Sequence, residues 1–354
     1  MNKKIIVSII VILAIIAGIA IHYFEENKEN APESKIGNDI LIGFSMSTLQ
    51  EERWQRDRDE FLNKAEELGA VVDLQAAGND KARQISQIES MIIKGVNVLV
   101  IAPYDAESLT EIIDKAHQAG IKVISYDRLI RNADVDLYLS FDNVKVGQYE
   151  AQSVIDALKD KLGKGQKLKV AYIGGAQTDN NASLLKTGSF TVLQPYIDNG
   201  QIEIALDKFT VDWNPENAYK NLKEYLDRTD GAIDAVIAAN DGTAFGSIRA
   251  LEEYDLDGKV PVSGQDAELS AIQRVVLGTQ TATVYKPIPK LASAGVELAI
   301  KLAKGEDIVE NNKVNNGKID VPSVLLESVL VTKDNISETV IKDGYYTSEE
   351  IYKK

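Results

Sequence analysis

The segment Val123-Ile-Ser-Tyr-Asp127-Arg128 runs from apolar residues into an acid and a base. Segments 170–181, 235–241, 260–266 and 283–286 have the same form. Each is typical of a buried strand that ends in a hydrogen-bonding side chain. Because ligands of an open parallel sheet bind outside the carboxyl ends of its strands, these five ends predict one polar site built by many loops. The pattern therefore indicates a receptor site for a small polar molecule.

Strand and helix patterns alternate along the chain from Asp39 onward. Predicted strands begin near residues 41, 71, 98, 123 and 137, and again near residues 170, 202, 235, 260 and 281. The first three helices are predicted over residues 53–68, 85–94 and 109–118, and each stops at a glycine. This alternation predicts an α/β protein with two doubly wound, Rossmann-like lobes whose linkers are crossed more than once.

The domain boundaries follow from where the alternation restarts. We predict an N-terminal lobe of residues 39–143 plus 287–318, and a C-terminal lobe of residues 144–286 plus 319–354. Residues 324–331 are predicted to form one extra strand, and residues 333–354 a charged tail. A polar site between two such lobes fits a clamp that closes on its ligand.

Residues 1–24 form an apolar N-terminal segment. Two lysines precede an apolar run over residues 5–21, and two aromatic residues follow it, which places the body of the protein outside the cytoplasm. The segment reaches the roughly 20 residues that cross a bilayer, so we predict an uncleaved anchor. A cleaved signal peptide stays the alternative, because Gly18-Ile19-Ala20 is a small-x-small triplet. Residues 25–38 are predicted to form a solvated tether.

Composition argues against several classes of function. The formal net charge of −15 opposes nucleic-acid binding, and the absence of cysteine excludes a disulfide or a thiol nucleophile. His22 and His117 have no partners for a metal site or a catalytic triad, and no phosphate-binding loop is present. The paired acids Glu51-Glu52 and Asp57/Asp59 are predicted to be solvated helix faces. We therefore expect neither a cofactor nor catalysis.

The chain contains two tryptophans, and both are predicted to lie in a loop after a strand. Trp54 opens the first helix, and Trp213 precedes a later one. A pyranose has C–H groups on its faces and hydroxyls on its rim, so one aromatic side chain from each lobe suits a sugar site. The alternative, that each tryptophan fills a core gap or caps a helix, stays open.

Polar candidates for the rim of this site follow the predicted strands. Ionised side chains bond hydroxyl groups more strongly than neutral ones, and a site built for such bonds rejects analogues that lack them. The candidates are Arg53, Asp127, Arg128, Asp179, Asn181, Asn240, Asp266 and Lys286. Asp179, Asn240 and Asp266 each precede a helical pattern, so a role as helix N-cap stays open for each. Lys286 could equally be a surface lysine.

Seven motifs occur in a specific order: Glu52-Arg-Trp-Gln55, Tyr126-Asp-Arg128, Ser140-Phe-Asp-Asn143, Asp179-Asn-Asn-Ala182, Pro215-Glu-Asn-Ala218, Ser263-Gly-Gln-Asp-Ala267 and Val284-Tyr-Lys-Pro287. Together they resemble bacterial D-xylose-binding proteins of the type I periplasmic binding protein superfamily, over residues 40–345. The resemblance implies that aromatic residues stack on a D-pentose, that the polar candidates hold it, and that the lobes close on binding. Near Trp213 the chain is one residue shorter than the family pattern.

The N-terminal segment separates this chain from typical members, which are secreted or anchored through a cysteine. It resembles a membrane-anchored subgroup of Gram-positive bacteria that works beside a sensor histidine kinase. We therefore expect a receptor outside the cytoplasm that signals D-xylose, or a related pentose, to such a kinase. The alternative is the secreted binding subunit of an ABC-type uptake transporter, with a permease as its partner. A homodimer is compatible with either.

Overall fold

Strands and helices alternate along the chain in the computed structural model, which describes residues 40–353. The strands of the first lobe are β1 (Leu41–Met46), β2 (Val71–Ala76), β3 (Val98–Ala102), β4 (Lys122–Tyr126), β5 (Leu137–Phe141), β10 (Asn312–Asn315) and β11 (Asp320–Leu326). Its helices are α1 (Glu52–Glu67), α2 (Lys81–Lys94), α3 (Thr110–Gln118) and α9 (Ile288–Lys304).

The second lobe repeats this alternation. Its strands are β6 (Leu168–Gly174), β7 (Ile202–Phe209), β8 (Ala235–Ala238), β9 (Thr283–Tyr285) and β12 (Val329–Val331). Its helices are α4 (Asn143–Leu158), α5 (Asn180–Asp198), α6 (Pro215–Thr229), α7 (Asp241–Glu252) and α8 (Leu269–Leu277). A 3₁₀ turn at Val211–Trp213, a π turn at Ser337–Ile341 and α10 (Ser348–Tyr352) complete the described elements.

The first lobe has one sheet with the strand order β10-β11-β5-β4-β3-β1-β2. All its neighbouring strands are parallel except β10, which is antiparallel to β11. The order reverses at β1, which lies between β2 and β3, and this is the signature of a doubly wound sheet. The glycines predicted to end the first three helices have φ of +71°, +76° and +76°, as C′ residues do.

The sheet of the second lobe is less regular. Strand β6 lies between β7 and β8, and isolated bridges then join Val236 to Val262 and Gln265 to Val284, where β9 pairs with β12. The strand predicted at Val260 is therefore wrong as a regular strand. Pro261 follows it directly, and proline has no N–H to give to a ladder. The prediction of two doubly wound lobes is confirmed.

Within the described residues the chain crosses between the lobes after β5, after β9 and between β11 and β12. Two predictions fail at the last crossing. Residues 324–331 are not one strand, because Leu326 pairs with Phe141 in the first lobe and Val329 pairs with Tyr285 in the second. The lobe boundary at residue 319 is wrong for the same reason, since β11 belongs to the first sheet. The sequence shows a run of apolar residues, but it does not show that the neighbouring strand changes within that run.

The C-terminal residues are not the charged tail that the sequence predicted. Tyr345 and Ile351 are buried, and the ring of Tyr345 lies 4.9 Å from that of Tyr285. The Arg56 guanidinium lies 4.0 Å from the same Tyr345 ring. The charged residues of this segment are exposed to solvent, whereas its buried apolar residues pack against the rest of the protein.

The predicted anchor (residues 1–24) and tether (residues 25–38) lie outside the described residues. Among residues 40–353, no helix has the length and apolar character that crossing a membrane requires.

Helices α4 and α5 pack backbone to backbone. A Cβ atom built on Gly147 would lie 2.0 Å from the carbonyl oxygen of Leu185, and one on Gly188 would lie 1.9 Å from that of Val144. Neither neighbour is a side chain that could rotate away. Both positions therefore require glycine, because any larger residue would push the helices apart.

We predict that Gly188→Ala lowers the free energy of unfolding by about 2–3 kcal/mol, because the methyl group overpacks this contact. Urea unfolding followed by circular dichroism measures it. Gly242→Ala is the matched control, because a Cβ there meets nothing closer than 3.5 Å. Equal stability of the two variants would contradict the tight contact.

Candidate functional site

One pocket lies in the cleft between the lobes, and all ten residues predicted from the sequence line it. They are Arg53, Trp54, Asp127, Arg128, Asp179, Asn181, Trp213, Asn240, Asp266 and Lys286. Each of these side chains is buried. The free space among them is about 30 Å³, so the cleft is closed.

The ends of parallel strands bring the polar residues together. Asp127 and Arg128 directly follow β4, and Lys286 directly follows β9. Asp179 and Asn240 are N-caps of α5 and α7, as the alternative interpretation proposed, and they also line the pocket. Asp179 does both with different atoms: Oδ1 accepts from the Asn181 N–H at 2.9 Å, while Oδ2 lies 2.8 Å from Arg128 Nε. A cap and a pocket residue are therefore compatible roles.

Buried cations and carboxylates alternate through the site. Arg53 Nη2 lies 2.9 Å from Asp127 Oδ2 and 3.1 Å from Asp57 Oδ2, and its Nη1 lies 3.6 Å from Asp266 Oδ1. Lys286 Nζ lies 2.8 Å from the same Asp266 oxygen. Each charge thus has a partner of opposite sign, which a buried ion requires.

This pairing sets the protonation of the central acids. Burial opposes ionisation of Asp127, but Arg53, Lys286 and Arg128 outweigh it and hold the pKa of Asp127 below its usual range. Asp57 lies behind Arg53, and burial, only partly offset by Arg53, raises its pKa to about 6. Asp127 is therefore a charged acceptor at neutral pH, and charged acceptors make the stronger hydrogen bonds.

The two tryptophans lie at the pocket in different settings. The guanidinium carbons of Arg53 and Arg128 lie 4.3 Å and 5.1 Å from the Trp54 ring centroid, so cations already stack on this indole. The Trp213 ring packs on Gly175, where a Cβ atom would come within 2.1 Å of it. The shorter chain near Trp213 has not removed this residue from the pocket.

Five buried polar atoms of the pocket have no hydrogen-bond partner among the described residues. They are Glu51 Oε2, Asn181 Oδ1, Gln265 Oε1, Asp266 Oδ1 and Trp213 Nε1. Four are oxygens that can accept, and the indole N–H is a donor. Buried polar atoms are rarely left unpaired, so this set points to a ligand that both donates and accepts hydrogen bonds.

Direct contacts also join the lobes. Inside the pocket, Asn181 Nδ2 donates to the Asp127 carbonyl oxygen at 3.1 Å. Outside it, the Tyr104 hydroxyl donates to Asp212 Oδ1 at 2.9 Å, and the Ala106 N–H donates to the Thr178 carbonyl oxygen at 2.9 Å. The closed arrangement thus has supports independent of the pocket.

Sequence reasoning missed two lining residues, Glu51 and Gln265. Glu51 was assigned to a solvated helix face, which is wrong: its Oε2 is buried, and desolvation raises its pKa. Asp57 is corrected likewise, since it is fully buried. The only signal was position, because Glu51 precedes Arg53 by two residues and Gln265 precedes Asp266. Their charge alone had led to the prediction that Glu51 and Asp57 face the solvent.

The described residues contain no cluster of side chains suited to a metal ion. His117 lies outside the pocket, with Nε2 2.8 Å from Asp136 Oδ2. The site offers charged and amide hydrogen-bonding groups beside aromatic rings, an arrangement that suits recognition of a polar ligand.

Comparisons with known proteins show which proteins this chain resembles. A family model described as a periplasmic binding protein domain matches residues 42–307. The chain is 49% identical over 314 residues to the D-xylose-binding periplasmic protein of Haemophilus influenzae, covering 89% of this chain and 92% of that protein. It is 46% identical over 313 residues to the protein of the same description from Escherichia coli, covering 88% and 93%.

A solved structure is also similar. It is an ABC transporter solute binding protein from Clostridium phytofermentans with bound β-D-glucose. The TM-score is 0.81 at 33% sequence identity, with 88% of this chain and 99% of that chain covered.

The carboxyl group of Glu268, two residues after Asp266, should make the free energy of unfolding depend on pH. Burial, reinforced by Asp241 and Asp266, raises its pKa to about 8. The folded protein therefore holds this proton more tightly than the unfolded chain, and the resulting stability is lost as the pH rises toward 8. We predict that Glu268→Gln, which stays neutral, reduces the fall in unfolding free energy between pH 5 and pH 8. Urea unfolding at both pH values tests this, with the exposed Glu310→Gln as control; parallel pH dependence in all three proteins would contradict it.

Proposed function

Because this chain belongs to the periplasmic binding protein family, we propose that the pocket between its lobes binds one monosaccharide, with D-xylose preferred. The chain is a binding protein and not an enzyme. The observation that carries the proposal is the convergence of paired charges, unpartnered polar atoms and two tryptophans in one closed cleft. The ten residues predicted from the sequence are the proposed sugar ligands.

The chemistry of the pocket supports a sugar in particular. A hydroxyl both donates and accepts, so a ring of hydroxyls can bond carboxylates such as Asp127 and Asp266 and donors such as Arg53 and Lys286. The tryptophans supply apolar surface for the faces of the ring. A ligand without hydroxyls would leave these buried groups unpaired and would bind weakly for that reason.

The preference for a pentose rests on the relatives. Two relatives of nearly half-identical sequence are described as D-xylose-binding. A relative from Rhizobium radiobacter, 37% identical, is described as a multiple sugar-binding receptor, so a panel of sugars is the proper test.

Closure on the sugar follows from where the charges lie. Arg53 and Arg128 follow strands of the first lobe, whereas Asp266 and Asp179 belong to the second. A sugar that bonds both sets favours the closed arrangement, because only there do all its partners come within reach.

We further propose that the protein stays outside the cytoplasm on an N-terminal anchor and signals to a sensor histidine kinase. The support is the length and flanking residues of the segment over residues 1–24. A receptor held in the same membrane as its kinase needs no tight contact, because anchoring raises the effective concentration. The second candidate is delivery of the sugar to an ABC permease, favoured by the transporter description of the similar solved structure.

Calorimetric titration of residues 39–354 with xylose, ribose, arabinose and glucose tests the ligand. We expect tightest binding for xylose. Arg128→Ala and Asp266→Ala should each weaken binding by about 2–5 kcal/mol, because each leaves a buried partner unpaired. Arg58→Ala, which removes a partly exposed arginine 2.7 Å from Asp59 and outside the pocket, should bind like the wild type. Near-native affinity in both pocket variants, with unchanged circular dichroism, would place the site elsewhere.

Purification of the full-length protein from its native membrane tests the partner. We expect xylose to increase the recovery of a histidine kinase. Asp266→Ala, which should bind the sugar more weakly, should abolish the increase at a xylose concentration that just saturates the wild type. Recovery of a permease instead, together with N-terminal sequencing that shows cleavage after Ala20, would support transport and end the signalling proposal.

A further inference from the structure

The Asp266 carboxylate depends on a strained turn of the backbone. Asp266 has φ of +93° and Ala267 has φ of +53°, both in the left-handed region that residues with a side chain seldom adopt. The turn aims Asp266 into the pocket, where it meets Lys286 and Arg53. Two successive residues in this region persist only when surrounding contacts hold them.

Asp241 supplies those contacts on both sides of the turn. Its N–H donates to the Gln265 carbonyl oxygen at 2.9 Å, and its Oδ2 accepts from the Glu268 N–H at 3.0 Å. Asp241 thus brackets Asp266 and Ala267 from before and after.

Thr283 extends the bracket into the turn itself. Its hydroxyl donates to Asp241 Oδ2 at 3.0 Å and accepts from the Ala267 N–H at 3.1 Å. The Asp241 carboxylate therefore fixes the direction of the hydroxyl that holds Ala267. Thr283 lies in β9, three residues before Lys286, so the same strand carries the cation that Asp266 meets.

The other carboxylate oxygen of Asp241, Oδ1, is also held by a hydrogen bond. Asp241 Oδ1 accepts from Gln280 Nε2 at 2.8 Å, and Gln280 Oε1 accepts from Arg274 Nε at 3.0 Å. A Cβ atom on Gly264 would lie 2.3 Å from Asp241 Oδ1, so the carboxylate rests directly on the backbone before the turn. Asp241 is fully buried and does not line the pocket.

We propose that Asp241 is a positioning residue for ligand recognition: it holds residues 265–268 in the strained turn and so places the Asp266 carboxylate, without touching the ligand itself. This inference rests on the proposed function only for its effect on affinity. The alternative is that Asp241 stabilises the second lobe in general, and the two roles predict different coupling to Asp266.

A double-mutant cycle separates them. Asp241→Asn should weaken xylose binding about tenfold or more, through the misplaced Asp266. In an Asp266→Asn background the same change should have little further effect, because residues that act through one group are not additive. Thr283→Val should behave like Asp241→Asn, and Thr283→Ser, which keeps the hydroxyl, should retain wild-type affinity.

Asp234→Asn is the matched control. Asp234 lies just before β8, and Asp241 lies shortly after it. Like Asp241, Asp234 accepts a hydrogen bond from a backbone N–H through its carboxylate, in this case from Lys169 at 2.9 Å. We expect Asp234→Asn to change thermal stability but not affinity. The proposal would be overturned if Asp241→Asn bound xylose like the wild type. It would also be overturned if Asp241→Asn reduced affinity as much in the Asp266→Asn background as in the wild type.

Hydrogen exchange distinguishes failure of this inference from failure of the sugar proposal, because it needs no ligand. The amides of Ala267 and Glu268 should exchange about tenfold faster in Asp241→Asn than in the wild type, and not in Asp234→Asn. If the wild type binds no sugar but this acceleration is seen, the function is wrong and the positioning stands. Unchanged exchange would overturn the positioning whatever the sugars show.

Discussion

The Arg53 and Arg128 guanidinium groups of the first lobe reach buried carboxylates of the second. Arg128 Nε lies 2.8 Å from Asp179 Oδ2, and Arg53 Nη1 lies 3.6 Å from Asp266 Oδ1. Taking such charges out of water costs free energy, and only good pairing offsets that cost. The relative placement of the two lobes is therefore constrained, because a small separation would leave several buried ions without partners.

The groups around these pairs have the same purpose of holding charges in place. Asp57 accepts from Arg53 at 3.1 Å, and the Tyr126 hydroxyl donates to Asp57 at 2.5 Å, so the arginine is fixed from behind. Three residues that line the pocket, Asp127, Trp213 and Asp266, also have positive φ. Side chains placed this way lose little further freedom when they bind, which favours affinity.

Two kinds of contact close the cleft, and they have different consequences. A ligand in the pocket can compete for the charged groups that form the ion pairs there. The contacts of Tyr104 with Asp212 and of Ala106 with Thr178 lie outside the pocket and join the lobes in the closed form without involving a ligand atom. The balance between the two sets determines how far the closed form is populated without ligand, and apparent affinity scales with that population.

The sequence by itself determined the alternation of strands and helices and the set of polar residues at the strand ends. These residues could be predicted to meet because parallel strands end at one edge of a sheet, and the family resemblance placed them in one cleft. Only the tertiary structure decided which acids were buried, as Glu51 and Asp57 show, and where residues 324–331 change partners. It also decided that the C-terminal segment packs through Tyr345. The physical reason is that burial and pairing depend on neighbours distant in the chain, whereas periodicity reports only on neighbours close in it.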